Sequence, residues 1–172
     1  MKSISRFDSD IHHRRSIRLK GYDYSQPGAY FVTIASYQRE PLFGEIQEFS
    51  MFLNQYGKTV HNYWDRIPGH YSNISLDAFI VMPNHIHGII IIDDVGAGLK
   101  PAPTERYPLY EIIRAFKTFS ARQINKMRGA PGIPVWQRNY FERIIRDEKE
   151  LDSIREYINN NINAWELNKE WV

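Results

Sequence analysis

The sequence predicts an α+β fold in which helices pack on an antiparallel sheet, and three observations carry that expectation. Segments rich in aromatic and β-branched residues are interspersed with segments whose apolar residues recur at helical spacing. Their order is strand, strand, helix, strand, strand, helix, strand, helix, which is an α+β order. The 172 residues fit a single domain with a sound core.

The chain begins with a concentrated basic segment, His12-His13-Arg14-Arg15-Ser16-Ile17-Arg18-Leu19-Lys20. Residues 1–20 therefore read as a basic arm, and Arg14, Arg15, Arg18 and Lys20 would draw it to a polyanion, nucleic acid first. A solvated tail with no partner is the alternative for such a charge run. Gly21 to Gly28 is rich in turn residues and leads into a strand over Ala29–Tyr37. A second, shorter strand is expected over Leu42–Phe49, around Gly44.

Asn54 to Ile67 then reads as a helix with Val60, Tyr63, Trp64 and Ile67 on one side, stopped by Pro68-Gly69. Ile74–Met82 is the next strand, and Pro83-Asn84 turns the chain tightly into a further strand that starts at His85, so the two form an antiparallel hairpin. Asp93 to Tyr107 has no periodicity and reads as a long loop. Pro108 suits a first helical position, after which Leu109, Ile112, Ile113, Phe116, Phe119, Ile124 and Met127 repeat at helical spacing. Arg114, Lys117, Arg122 and Lys126 fall outside that stripe. Val135–Arg146 reads as the last strand. Asp147 with Glu150 forms a capping box that opens a helix running to about Ile162. Ala164 onward, with Trp165 and Trp171, adds an extra turn of helix at most. The domain body is accordingly 21–165, with 166–172 as a tail.

Composition narrows the chemistry. There is no cysteine, so disulfides and thiolate metal sites are excluded and any metal must be held by nitrogen and oxygen. No apolar run approaches the roughly 20 residues that span a bilayer. The start of the chain lacks the apolar stretch of a signal peptide, so a cytoplasmic location is expected.

The stretch that organises the rest is Met82-Pro83-Asn84-His85-Ile86-His87-Gly88, followed by four isoleucines. In an extended chain His85 and His87 project from one face and Ile86 from the other. Ile89 and Ile91 continue the histidine face while Ile90 and Ile92 fill the opposite one, as in a central strand covered on both sides. Two imidazoles on one face make half of a metal site; for this pattern alone, hydrogen-bonded structural histidines are the alternative.

The last helix offers the missing groups. Leu151, Ile154, Ile158 and Ile162 form one stripe that packs on the sheet, and Tyr157 and Asn161, four apart, stack on its shoulder. Facing the histidines, Asn161 would supply a third, oxygen ligand and Tyr157 a hydroxyl. A phenol beside a metal-bound phosphodiester can attack as phenolate and give a covalent phosphotyrosine. Among eleven tyrosines most are packing or surface residues, and Tyr140 is the competing nucleophile.

His85-Ile86-His87 after Met82-Pro83-Asn84 resembles the His-hydrophobic-His motif of HUH single-strand endonucleases, and Tyr157-Ile158-Asn159-Asn160-Asn161 resembles the tyrosine helix of single-tyrosine transposases. The nearer resemblance is to the REP-associated tyrosine transposases, carried also by Arg14 to Tyr24, Gly28 to Ile34, Trp136 to Tyr140 and Ile144 to Arg146. It covers nearly the whole chain beyond the first dozen residues.

The resemblance implies a ferredoxin-like domain that cuts and rejoins single-stranded DNA at or beside hairpins, the repetitive extragenic palindromes, with Mg²⁺ or Mn²⁺. His85 and His87 would then be metal ligands and Tyr157 the nucleophile that forms a 5′-phosphotyrosine. The insertion-sequence relatives commonly carry glutamine four residues after the tyrosine, where this chain has the shorter Asn161. The resemblance implies a monomer or homodimer: the wider family includes dimers in which the tyrosine helix serves the partner's site, and the domesticated group can be monomeric. Two other readings stay open at this level: a DNA-hairpin-binding module that does not use its nuclease chemistry, and a metal-dependent hydrolase of another phosphoester, which would not need the basic arm.

Overall fold

The computed structural model describes residues 22–94 and 107–167. The arm carrying Arg14, Arg15, Arg18 and Lys20, most of the expected long loop, and the end of the tail lie outside the described residues. Within them the order is β1 (Gly28–Ala35), β2 (Gly44–Gln47), β3 (Ser50–Leu53), α1 (Gln55–Asp65), α2 (Ile67–His70), β4 (Ile74–Met82), β5 (His85–Ile92), α3 (Leu109–Met127), β6 (Phe141–Ile145), α4 (Glu148–Asn159) and α5 (Asn161–Leu167).

Four strands form one antiparallel sheet in the order β4-β5-β1-β6, and β2 and β3 pair as a separate hairpin. This is the ferredoxin-like α+β arrangement. Side-chain alternation then sorts the residues. Tyr30, Val32, Ile34, Ile86, Ile90 and Ile92 join the main core with Val60 and Trp64 of α1 and Ile112 and Phe116 of α3. Phe31, Ile89 and Ile145 face the other way, onto Leu151, Ile154 and Ile158 of α4. The predicted two-sided burial of the histidine strand is therefore observed. Gly88 is required by this packing, because a Cβ there would lie 2.3 Å from Cζ2 of Trp64.

Several expectations are corrected. The expected strand Leu42–Phe49 is a hairpin: Glu48 and Phe49 adopt positive φ, and the chain turns back as β3. Pro68 lies in the first turn of the short α2 instead of ending the helical region, since proline is tolerated there. Pro108 takes the N-cap position, one before the first helical residue. Phe119 lies exposed outside the apolar stripe of α3. Lys117, expected outside that stripe, turns back to donate to the carbonyls of Gln137 and Arg138 at 2.6 and 2.9 Å. The last strand is shorter than expected because Trp136 turns into the core, its indole N–H donating to Ser120 Oγ at 3.0 Å. The last helix breaks at Asn160, so Asn161 opens α5.

The cap of α4 is close to the expected box: Asp147 accepts from the Glu150 N–H, and Glu150 reaches back to the Arg146 N–H. A register shift in β4 between Leu76 and Phe79 accompanies the turn of Asp77 toward α4. There Arg155 donates two parallel bonds to it, Nε to Oδ1 at 2.9 Å and Nη2 to Oδ2 at 2.7 Å. Among the described residues, no helix is long and apolar enough to cross a membrane.

Candidate active site

Antiparallel pairing places Thr33 opposite His87 and Ala35 opposite His85. Cross-strand neighbours share a face, so a small residue and a hydroxyl flank the two imidazoles. The Nε2 atoms of His85 and His87 lie 3.0 Å apart. Their outer nitrogens are both engaged: His85 Nδ1 donates to Asn84 Oδ1 at 2.7 Å, and His87 Nδ1 meets Thr33 Oγ1 at 2.8 Å. With the ring proton of His85 fixed on Nδ1, its Nε2 presents a lone pair. When Thr33 accepts the His87 Nδ1 proton, both Nε2 atoms carry a free lone pair.

Burial keeps both rings neutral at pH 7. It pulls the His85 pKa down to about 4, helped by the nearby positive charge of Arg39 and opposed by a hydrogen bond with the Asn161 side chain. It pulls His87 down to about 3, with His85 adding to the effect. Neutral imidazoles are the form that binds metal.

The helix α4 brings the phenol. Its apolar face seats on Phe31, Ile89 and Ile145, and Tyr157, on the shoulder of that face, places its hydroxyl 3.4 Å from His87 Nε2. Phe31 supports both partners, stacking on His87 with ring centroids 5.5 Å apart and meeting Tyr157 edge-on at 6.0 Å. Tyr157 is nevertheless 52% exposed, so an incoming strand can reach it. Asn161, just past the helix break, is 8% exposed and lines the same groove as His85. The competing Tyr140 packs against the main core instead.

His85, His87, Tyr157 and Asn161 line one open groove of about 1040 Å³, along with Arg39, Phe141, Arg143, Arg146 and Lys149 and the carboxylates Asp147 and Glu150. Arg143 is paired with Glu150, whereas Arg39, Arg146 and Lys149 have no carboxylate partner among the described residues. A groove of unpaired cations beside a phenol is suited to a phosphate backbone.

Whether these residues fit a divalent cation can be tested on the donor set. Octahedral ligands at about 2.1 Å from a metal sit about 3 Å from their neighbours, which matches the Nε2 pair. Both nitrogens are neutral and oriented from behind, and the Asn161 amide adds an oxygen. Among the described residues no group of three or more His, Cys, Asp or Glu could hold a metal ion, and the Asn161 amide is the neutral oxygen donor that lines the groove with the two imidazoles. The residues present fit.

Sequence reasoning did not single out Thr33, Asn84, Phe31 or Arg39 for this site. The first had a signal, a hydroxyl in the apolar run Tyr30-Phe31-Val32-Thr33-Ile34 opposite a histidine strand. Asn84 was visible as a turn residue and as part of the lead into the histidine motif, with no role of its own. Arg39 had none.

The IS200-like transposase family matches residues 30–161, spanning both the histidine strand and the tyrosine helix. The chain belongs to that family. An uncharacterised protein of Haemophilus influenzae (strain ATCC 51907 / DSM 11121 / KW20 / Rd) is 41% identical to this transposase family member over 182 aligned residues, which cover 98% of each chain. A solved structure of a REP-associated tyrosine transposase bound to a REP hairpin has the same fold. It is 17% identical, with a TM-score of 0.57, over 84% of this chain and 71% of that one.

Proposed function

We propose that this transposase is a metal-dependent single-strand DNA endonuclease and strand transferase that acts at DNA hairpins through a covalent 5′-phosphotyrosine on Tyr157. One observation carries the reading: two neutral imidazole nitrogens 3.0 Å apart and a phenol oxygen 3.4 Å from one of them meet in a single groove lined with unpaired cations. A metal hydrolase of other phosphoesters needs neither the phenol nor the cations.

In this reading His85, His87 and Asn161 hold Mg²⁺ or Mn²⁺, which when bound supplies positive charge beside the scissile phosphate. The Tyr157 hydroxyl gives up its proton to water, and its oxygen attacks phosphorus as phenolate and forms a P–O bond. The bond to the 3′-oxygen breaks, and that oxygen leaves with its electron pair and takes a proton from water. One phosphodiester is exchanged for another, so the link can be reversed by a new 3′-hydroxyl and the strands rejoined.

Hairpin DNA as the partner is supported by the fold shared with a transposase solved on a REP hairpin, and by the basic arm, in which Arg14, Arg15, Arg18 and Lys20 would follow phosphates of the stem. The approach of Tyr157 to His87 of its own chain supports a monomer acting in cis.

The test is incubation of the full chain with hairpin-bearing single strands in Mn²⁺, followed by a denaturing gel. A protein-DNA adduct is expected. Tight hairpin binding without adduct or cleavage would instead indicate a binding module that does not use this chemistry.

A further inference from the structure

The turn after β1 is strained, and the strain is held from several sides. Gln38 and Arg39 both sit in the left-handed region at φ 54° and 58°, without being glycine. Each such residue is strained and persists only where neighbours enforce it. Here Ser36 Oγ donates to the Glu40 and Asn84 carbonyls at 2.7 and 3.0 Å, and Tyr37 N–H donates to the Val135 carbonyl at 2.8 Å. Asn84 Nδ2 donates to the Arg39 carbonyl at 3.1 Å while Asn84 Oδ1 accepts from His85. One asparagine thus ties the Arg39 backbone to a histidine of the site.

The side chain that this turn presents is an exposed guanidinium, lining the groove with His85, His87 and Tyr157 and paired with no carboxylate among the described residues. A guanidinium is always charged and its planar fork matches two oxygens of a phosphate. We propose that Arg39 is a catalytic residue that grips the non-bridging oxygens of the scissile phosphodiester and steadies the charge they gain as the Tyr157 oxygen adds. It transfers no proton. The assignment deepens the transesterification reading and rests on it.

The test uses Arg39→Ala and Arg39→Lys in the full chain, with two readouts. The first is the single-turnover rate of adduct formation on a hairpin strand with an ordinary phosphate, or a neutral methylphosphonate, at the cleavage position. Arg39→Ala is expected to slow the ordinary substrate roughly 10²- to 10³-fold, the loss typical of one oxyanion donor, with partial recovery in Arg39→Lys or on adding free guanidinium. On the methylphosphonate, wild type and Arg39→Ala should react at nearly equal rates. Equal losses on both substrates, or an ordinary rate within about threefold of wild type, overturn the proposal, since a merely structural turn cannot distinguish the two phosphorus centres.

The second readout needs no chemistry. For metal-free protein on short oligothymidylate, the slope of log affinity against log salt should shrink by about 0.7 in Arg39→Ala, the value for one lost single-strand phosphate contact. An unchanged slope counts against Arg39. Were wild type to give no adduct, the transesterification reading would fail by itself, and with it the catalytic role of Arg39; the slope would then still show whether Arg39 grips a phosphate.

Discussion

The Tyr157 hydroxyl lies 3.4 Å from Nε2 of His87, although 70 residues separate them in the chain. Neither residue is placed by its local sequence alone. His87 is fixed by strand pairing and Thr33, and Tyr157 by the seating of α4 on the same face of the sheet. Removing only the oxygen separates chemistry from scaffold. Tyr157→Phe should abolish adduct formation and leave hairpin affinity within about twofold. Its stability should stay within about 0.5 kcal/mol of wild type, because the side chain is half exposed. Gel assay, binding titration and urea melts check the three.

Metal affinity should depend on the groups behind the histidines. Thr33→Val keeps shape but removes the partner of His87 Nδ1, and is expected to weaken Mn²⁺ binding about 10- to 100-fold. His87→Ala should weaken it further. With two imidazoles and one amide, Mn²⁺ should bind more tightly than Mg²⁺. Titration by electron paramagnetic resonance measures each.

Stability should fall in acid through the same pair. Burial holds the folded pKa values at about 4 for His85 and about 3 for His87, below the ordinary 6.5. Above pH 6.5 both states are neutral and the rings contribute nothing to pH dependence. Below it the unfolded chain takes up protons that the folded one refuses, so stability is lost as pH drops from 6.5 toward 4. Tenfold in proton affinity is about 1.4 kcal/mol, and a loss of at least about 1 kcal/mol is expected by urea melts of metal-free protein. The double variant His85→Gln, His87→Gln should flatten that window.

The forked Arg155–Asp77 pair holds α4 to β4. Asp77→Ala should let α4 shift, slowing adduct formation by about tenfold or more, since displacement of the reacting oxygen by about 1 Å is costly. Mn²⁺ affinity should fall less than the rate, because His85 and His87 sit on the sheet and of the three proposed ligands only Asn161 follows α4. A loss of metal affinity with no loss of rate would count against this division.

Much of the fold was readable because period decides it. The isoleucine run after His87 and the stripe Leu151, Ile154, Ile158 assign themselves to opposite sides of one interface. The breaks were less readable. Nothing local announces that Glu48 and Phe49 turn left-handed, or that Asn160 ends α4, because these depend on what the neighbouring elements offer. In the site, His85, His87, Tyr157 and Asn161 were found by spacing and resemblance. Arg39 was not, since its placement depends on Asn84, Ser36 and the carbonyl of Val135 together.

The most direct test of the central claim is to digest the adduct formed with a hairpin-bearing single strand in Mn²⁺ and map the DNA-linked peptide by mass spectrometry. One modified peptide is expected, with a 5′-phosphate ester on Tyr157 and a free 3′-hydroxyl on the released strand. Attachment at Tyr140, or cleavage that leaves the protein unmodified, would contradict it.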